Sequence, residues 1–115
     1  MAVISLGAVR VTSPGTPVQL IVNVSTSVLN LAGTLSCYTI VMQPLSSNVG
    51  KVYVGNSVLS KTTLAGVHMF VPIPTANSLP FDAFRNETAQ AGLNAAEMYI
   101  DADNANDGVV GHIIR

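Results

Sequence analysis

The densest chemistry in the sequence is the run Asp101-Ala102-Asp103-Asn104-Ala105-Asn106-Asp107-Gly108. Hard cations such as calcium want clustered carboxylate and amide oxygens of this kind. The spacing does not make an EF-hand in either register. Counting from Asp101, the sixth position is Asn106 where the turn needs glycine; counting from Asp103, the twelfth is Ile114 where the bidentate Glu belongs. The Asp101–Asp107 segment is therefore read as a polar loop whose Asx side chains bond backbone, with cation binding as its alternative. Asp107-Gly108 between two apolar runs predicts a hairpin, pairing the strands on either side.

Other candidates are sparser. His68 and His112 each sit inside an apolar run. Neither has the cysteines or spaced carboxylates of a zinc site, so both are expected as satisfied interior or interface histidines. Cys37 is the only cysteine. Beside Ile40-Val41-Met42 it reads as a small buried hydrophobe, and no internal disulfide is available to it. No Gly-x-Ser-x-Gly elbow or Ser/His/Asp arrangement can be assembled, and phosphate-cradling glycine loops are missing. Paired carboxylates would have to come from Asp82, Glu87, Glu97 and the Asp cluster, mostly loop positions. No catalytic residue, metal ligand or cofactor is assigned, and a non-enzyme is expected. Asn23-Val24-Ser25 and Asn86-Glu87-Thr88 match the glycosylation acceptor, a pattern short enough to arise by chance.

The elements that would hold these residues are strands. Val9-Arg10-Val11-Thr12 alternates and stops at Ser13-Pro14-Gly15. Val18, Leu20, Val22 and Val24 share one face of a strand predicted over 18–25, followed by a looser stretch over 25–36. Further strands are predicted at 37–43, closed by Pro44, at 50–55 and at 67–72. Pro72 and Pro74 confine the last of these to an edge or a strand end, since neither can donate to a ladder. Pro80 to Arg85 reads as one helical turn, and 85–88 as an exposed loop tip. Strands return at 97–101 and 109–114. The pattern predicts a single all-β domain over 1–115, an antiparallel β-sandwich or barrel of jelly-roll-like form, with a loop-rich insertion around 75–96.

Charge is the most informative number. Charged residues make up 10% of the chain, against about 25% in a typical soluble domain. Ser, Thr, Asn and Gln must then cover the outside. A neutral polar surface is cheaper to desolvate than a charged one, which suits extensive protein–protein contact. Net charge is −1, and the five basic residues (Arg10, Lys51, Lys61, Arg85, Arg115) are scattered, so no nucleic-acid partner is expected. Apolar runs are strand-length, well short of the ~20 residues of a spanning helix, so no membrane partner is expected either. The opening residues lack a basic leader and a long apolar centre, which predicts synthesis in a cytoplasm.

Four segments together resemble the small structural proteins of tailed bacteriophages. They are Val3-Ile4-Ser5-Leu6-Gly7-Ala8-Val9-Arg10-Val11, Gly50-Lys51-Val52-Tyr53-Val54-Gly55, Leu64-Ala65-Gly66-Val67 with Pro72-Ile73-Pro74-Thr75-Ala76-Asn77, and Met98-Tyr99-Ile100-Asp101-Ala102-Asp103 with Gly108-Val109-Val110. The resemblance touches both ends and the middle of the chain and rests on scaffold motifs in order; residues 75–96 have no counterpart in it. It implies a virion protein made in the host bacterial cytoplasm that decorates or cements the capsid surface between capsomers. The implied partners are the major capsid protein and further copies of itself, as a homotrimer. Alternatives are another virion part (head-fibre base, neck or tail module) and a small carbohydrate-binding module. The last should expose aromatics in a concave face, whereas this chain has no Trp and its tyrosines, Tyr38, Tyr53 and Tyr99, lie inside predicted strands.

Overall fold

Alternating inward and outward side chains build the molecule. The computed structural model describes residues 3–25, 27, 35–37, 39–74, 81–85 and 93–115. Its strands are β1 (Val3–Arg10), β2 (Val18–Gln19), β3 (Ser36–Cys37), β4 (Thr39–Pro44), β5 (Val52–Gly55), β6 (Val67–Val71), β7 (Phe81–Arg85), β8 (Leu93–Asn94), β9 (Tyr99–Ala102) and β10 (Gly108–Ile114). They form one sheet in the order β1-β10-β4-β7, a second in the order β2-β9-β5-β6, and a short β3-β8 ribbon. All pairings are antiparallel. Set the ribbon aside and number the other eight strands consecutively: the sheets become 1-8-3-6 and 2-7-4-5. That is the strand order of a jelly roll, two sheets face to face with the chain passing between them.

The core lies between the sheets. Leu6, Val9, Ile40, Met42, Val109 and Ile113 come from the first sheet, Val52, Val54, Val71, Ile100 and Ala102 from the second, all buried in one cluster. Each fully buried Val, Leu or Ile stabilises the fold by about 1.5–3 kcal/mol over an exposed one. Leu20, Ile21, Leu35, Cys37 and Ala95 extend the cluster at one end. Among the described residues no helix is long and apolar enough to cross a membrane.

The all-β sandwich expectation is met, with β5 and β6 close to the predicted spans and β6 on the edge that Pro72 and Pro74 required. Three local expectations are corrected. The strand predicted over 18–25 stops at Gln19. Bonds from Val22 N–H to Gln19 C=O and from Val24 N–H to Ile21 C=O turn the chain, so the neighbours Leu20 and Ile21 both point inward while Val22 is exposed. The helical turn expected at 80–85 is strand β7 over Phe81–Arg85, paired with β4, whose ladder overrides the local preference. The hairpin at Asp107-Gly108 does not form. In a jelly roll consecutive strands mostly change sheets, so β9 pairs with β2 and β5 while β10 pairs with β1 and β4. Residues 103–107 are an arch between the sheets. Of the 75–96 segment, Phe81–Arg85 and Leu93–Asn94 are strand and Ala95–Glu97 opens a 3-10 turn. The loop tip predicted at 85–88 lies, apart from Arg85, outside the described residues, as does Tyr38.

Candidate functional site

The acidic cluster is taken apart by the fold. Asp101, buried on β9, accepts hydrogen bonds from the Gly15 N–H at 2.9 Å and the Ala102 N–H at 2.8 Å. Asp107, also buried, accepts from the N–H groups of Val49 (3.1 Å) and Gly50 (2.9 Å), which belong to the loop joining β4 to β5. Asp103 accepts the Tyr53 hydroxyl at 3.1 Å and lies 3.7 Å from the Lys61 ammonium. Each carboxylate thus serves a different segment. Among the described residues no group of three or more His, Cys, Asp or Glu is gathered for a metal. The polar-loop reading fits this geometry, with one difference: the bonds reach distant loops as well as neighbouring backbone.

Asn48 completes the arch. Its amide nitrogen donates to the Gly108 carbonyl at 2.8 Å and its oxygen accepts the Gly108 N–H at 2.9 Å, so a buried side chain mimics a strand partner. Val11 and the arch exchange backbone bonds, Val11 N–H to Asp107 C=O and Asn106 N–H to Val11 C=O. Nothing in the local sequence marks Asn48, which lies between the strands predicted at 37–43 and 50–55.

The outer face of the β2-β9-β5-β6 sheet is covered from within the chain at Tyr53 and Asp101. Asp101, Tyr53 and Phe70 stand in one cross-strand row. Tyr53 and Phe70 meet edge to face at 5.5 Å, and the Lys51 ammonium lies over both rings, 5.3 Å and 4.6 Å from their centroids. Tyr53 is buried. Burial raises the pKa of its hydroxyl, and the hydrogen bond to Asp103 and the charges of Asp103 and Asp101 push the same way. Cys37 is buried as expected, which raises its thiol pKa against a smaller opposing pull from the Ala95 backbone.

The outer face of the β1-β10-β4-β7 sheet is different. Register pairs Ser5 with His112 and His112 with Val41, and in the next row Val110 with Gln43. With Val3 these residues line an open concavity of about 440 Å³. Val41, Gln43, Val110 and His112 are half-buried and Val3 is 65% exposed. His112 is thus a face residue in an apolar setting, and His68 is exposed on edge strand β6, not interior. Among the described residues the concavity's lining carries no carboxylate, lysine or arginine, and the register sets Asp82 of β7 opposite Val41 at its edge. Sequence did carry a signal for it: Ile40-Val41-Met42 and Val109-Val110 are apolar at consecutive positions, which makes both faces of a strand apolar. The rim at β1 is partly closed, since Gly7 forms a bulge with φ +67° and the Asn23 amide caps the Ala8 carbonyl at 2.9 Å.

Compared with protein-family models, curated proteins and solved structures, the chain matches none.

Proposed function

We propose that this protein is a structural subunit of a virus particle, a bacteriophage decoration or cement protein that seats on the outer shell between capsomers and stabilises the mature head. One observation carries the reading. A chain with 10% charged residues leaves on one sheet face an open concavity whose lining, among the described residues, is uncharged and largely apolar, while it packs its own groups around Tyr53 and Asp101 on the opposite face. Uncharged surface loses little on leaving water, and packing against protein is what recovers it. The jelly roll supports the reading as analogy only, because the same architecture builds viral shells, lectins and cupins.

The mechanism is thermodynamic. A subunit that binds only the expanded shell stabilises that state by RT ln(1 + [L]/Kd) per site. Association of copies into a trimer that touches several capsomers raises avidity by ~10²–10⁴-fold without better individual contacts. The test is the copy number of this chain relative to the major shell protein in purified particles. A ratio near one to one is expected. A few copies per particle would move it to the neck, tail or head fibre, and absence from particles would end the virion reading.

A further inference from the structure

A second concavity, of about 330 Å³, lies at the opposite end of the molecule from the Asp107 arch and is lined by Asn56, Ser57, Val58, Ala96, Glu97 and Tyr99. We propose that it is a binding site for a neutral saccharide of one or two sugar rings.

The groove is preformed. Tyr99 on β9 stands opposite Gly55 on β5 and Gln19 on β2. Gly55 brings no side chain to that row, and none is admissible there, because a Cβ would lie 2.0 Å from the Gly66 carbonyl oxygen. The Gly66 backbone fills the space over Gly55, and the concavity opens beside it, between the residues that follow β5 and those that precede Tyr99. Its first wall is the turn after β5, held by the Val58 N–H on the Asn56 side-chain oxygen at 3.0 Å and by the Leu59 N–H on the Asn56 carbonyl at 3.1 Å. Its second wall is the 3-10 turn Ala95–Glu97, capped by Asn94, whose side chain accepts the Ala96 N–H at 3.1 Å. The Gln19 amide grips the same turn through the Ala96 carbonyl at 2.7 Å. Both walls are anchored, by buried Leu59 and buried Ala95.

The chemistry of the lining selects the ligand. The Tyr99 hydroxyl, the Ser57 hydroxyl, the Glu97 carboxylate and the Asn56 amide nitrogen form no hydrogen bond with other groups among the described residues, whereas the Asn56 oxygen does. Tyr99, Ser57, Glu97 and Asn56 bring two hydroxyls, one strong acceptor and one donor to a lining shared with Val58 and Ala96. Sugars present that complement, with hydroxyls at the ring edge that donate and accept and apolar C–H faces that pack on an aromatic. The volume is at the small end of ligand sites, room for one or two rings and not for an extended chain. Glu97 has no cation in the lining to balance it, so a carboxylated or phosphorylated sugar is repelled. The site does not depend on the shell-binding reading; it lies at the end of the other sheet.

The experiment uses the full chain and two-dimensional amide NMR. Glucose, galactose, mannose and N-acetylglucosamine are titrated separately, with glucuronate as the anionic probe. At least one neutral sugar is expected to shift the amides of residues 56–58 and 96–99, and glucuronate is not. Tyr99→Ala should weaken binding by about tenfold or more through loss of the stacking surface. Glu97→Gln should admit glucuronate, an outcome that a merely structural role for Glu97 would not give. Unchanged melting temperatures establish that both variants fold, and Tyr99→Leu, which also removes the ring, stands in for Tyr99→Ala if the latter does not. Shifts from no neutral sugar, shifts confined to other regions, or unweakened binding by the folded Tyr99 variant would overturn the site. Copy number in particles is unaffected by this result, so the two proposals fail separately.

Discussion

On the outer side of the β2-β9-β5-β6 sheet the chain folds its own groups over the Tyr53–Asp101 row; on the outer side of the β1-β10-β4-β7 sheet no described residue closes the concavity beside Val41 and Val110. The covered face holds Asp101 under the Gly15 turn, and Tyr53 between Phe70, Lys51 and Asp103. The Asp101 carboxylate and the Tyr53 hydroxyl are paired within the chain. The uncovered face presents Val41, Val110, Gln43 and His112 around an open concavity. The Tyr53–Asp101 region is finished by intramolecular contacts, and the other face is, on the proposed reading, the one a shell protein covers. Residues of the first should therefore matter to folding, and residues of the second to assembly.

The largest effect should come from attacking the uncovered sheet at its backbone. A Cβ on Gly111 would lie 2.0 Å from the Val41 carbonyl oxygen of the paired strand. Gly111→Ala must push β10 from β4, and a loss of about 3 kcal/mol or more is expected, read as a drop in the urea midpoint or as failure to express in soluble form. If the variant keeps its stability, the β10–β4 register is wrong and the face it creates is wrong with it.

Next comes the staple that joins the sheets. Asn48→Ala leaves the buried N–H and C=O of Gly108 without their side-chain partner. An unsatisfied buried group costs about 1–3 kcal/mol, so chemical denaturation should show a loss in that range. A change near zero would mean that water replaces the amide, and that the arch does not tie the β4–β5 loop to β10.

These two residues also show what was legible. Short apolar runs between turn residues, 50–55 with a glycine at each end and 67–72 ended by proline, located β5 and β6. The Asp107-Gly108 signal was read correctly as a break and wrongly as a hairpin. A turn dipeptide reports local backbone geometry, whereas the partner of β10 is chosen by the core, through Val109 and Ile113. β7 was missed for the same reason: the preference of Pro80–Arg85 is local, and pairing to β4 is not. The uncovered face was legible as consecutive apolar residues in Ile40-Val41-Met42. Asn48 was not, since its role depends on a contact with a residue 60 positions away.

The two faces are separated most directly by paired isosteric variants. Val41→Thr and Val110→Thr keep the β-branched shape and add a hydroxyl to the uncovered face. Their stability should stay within about 0.5 kcal/mol, while association with purified shells, measured by co-sedimentation, falls. Tyr53→Phe on the covered face removes the hydrogen bond to Asp103; it should cost about 1 kcal/mol and leave shell binding unchanged. An inverted outcome, in which the Tyr53 variant loses shells and the valine variants lose only stability, would exchange the roles of the two faces.

The smallest effect is a dependence on pH that only the covered face should carry. Burial raises the Tyr53 pKa above its ordinary value of 10.0, so the folded protein disfavours tyrosinate more than the unfolded chain does. The stabilisation tied to this shift is therefore fully present below pH 10.0, and it is lost as pH rises through the higher folded-state value. Cys37 acts with the same sign from its ordinary 9.0, because burial raises it too. A Cys37→Ala background isolates the tyrosine. In that background the urea midpoint should fall as pH climbs above 10, and adding Tyr53→Phe should reduce the fall. An equal fall in both proteins would show that Tyr53 ionises as readily folded as unfolded, and so is reached by water. The contrast between a closed face and an open one would then lose its clearest electrostatic mark.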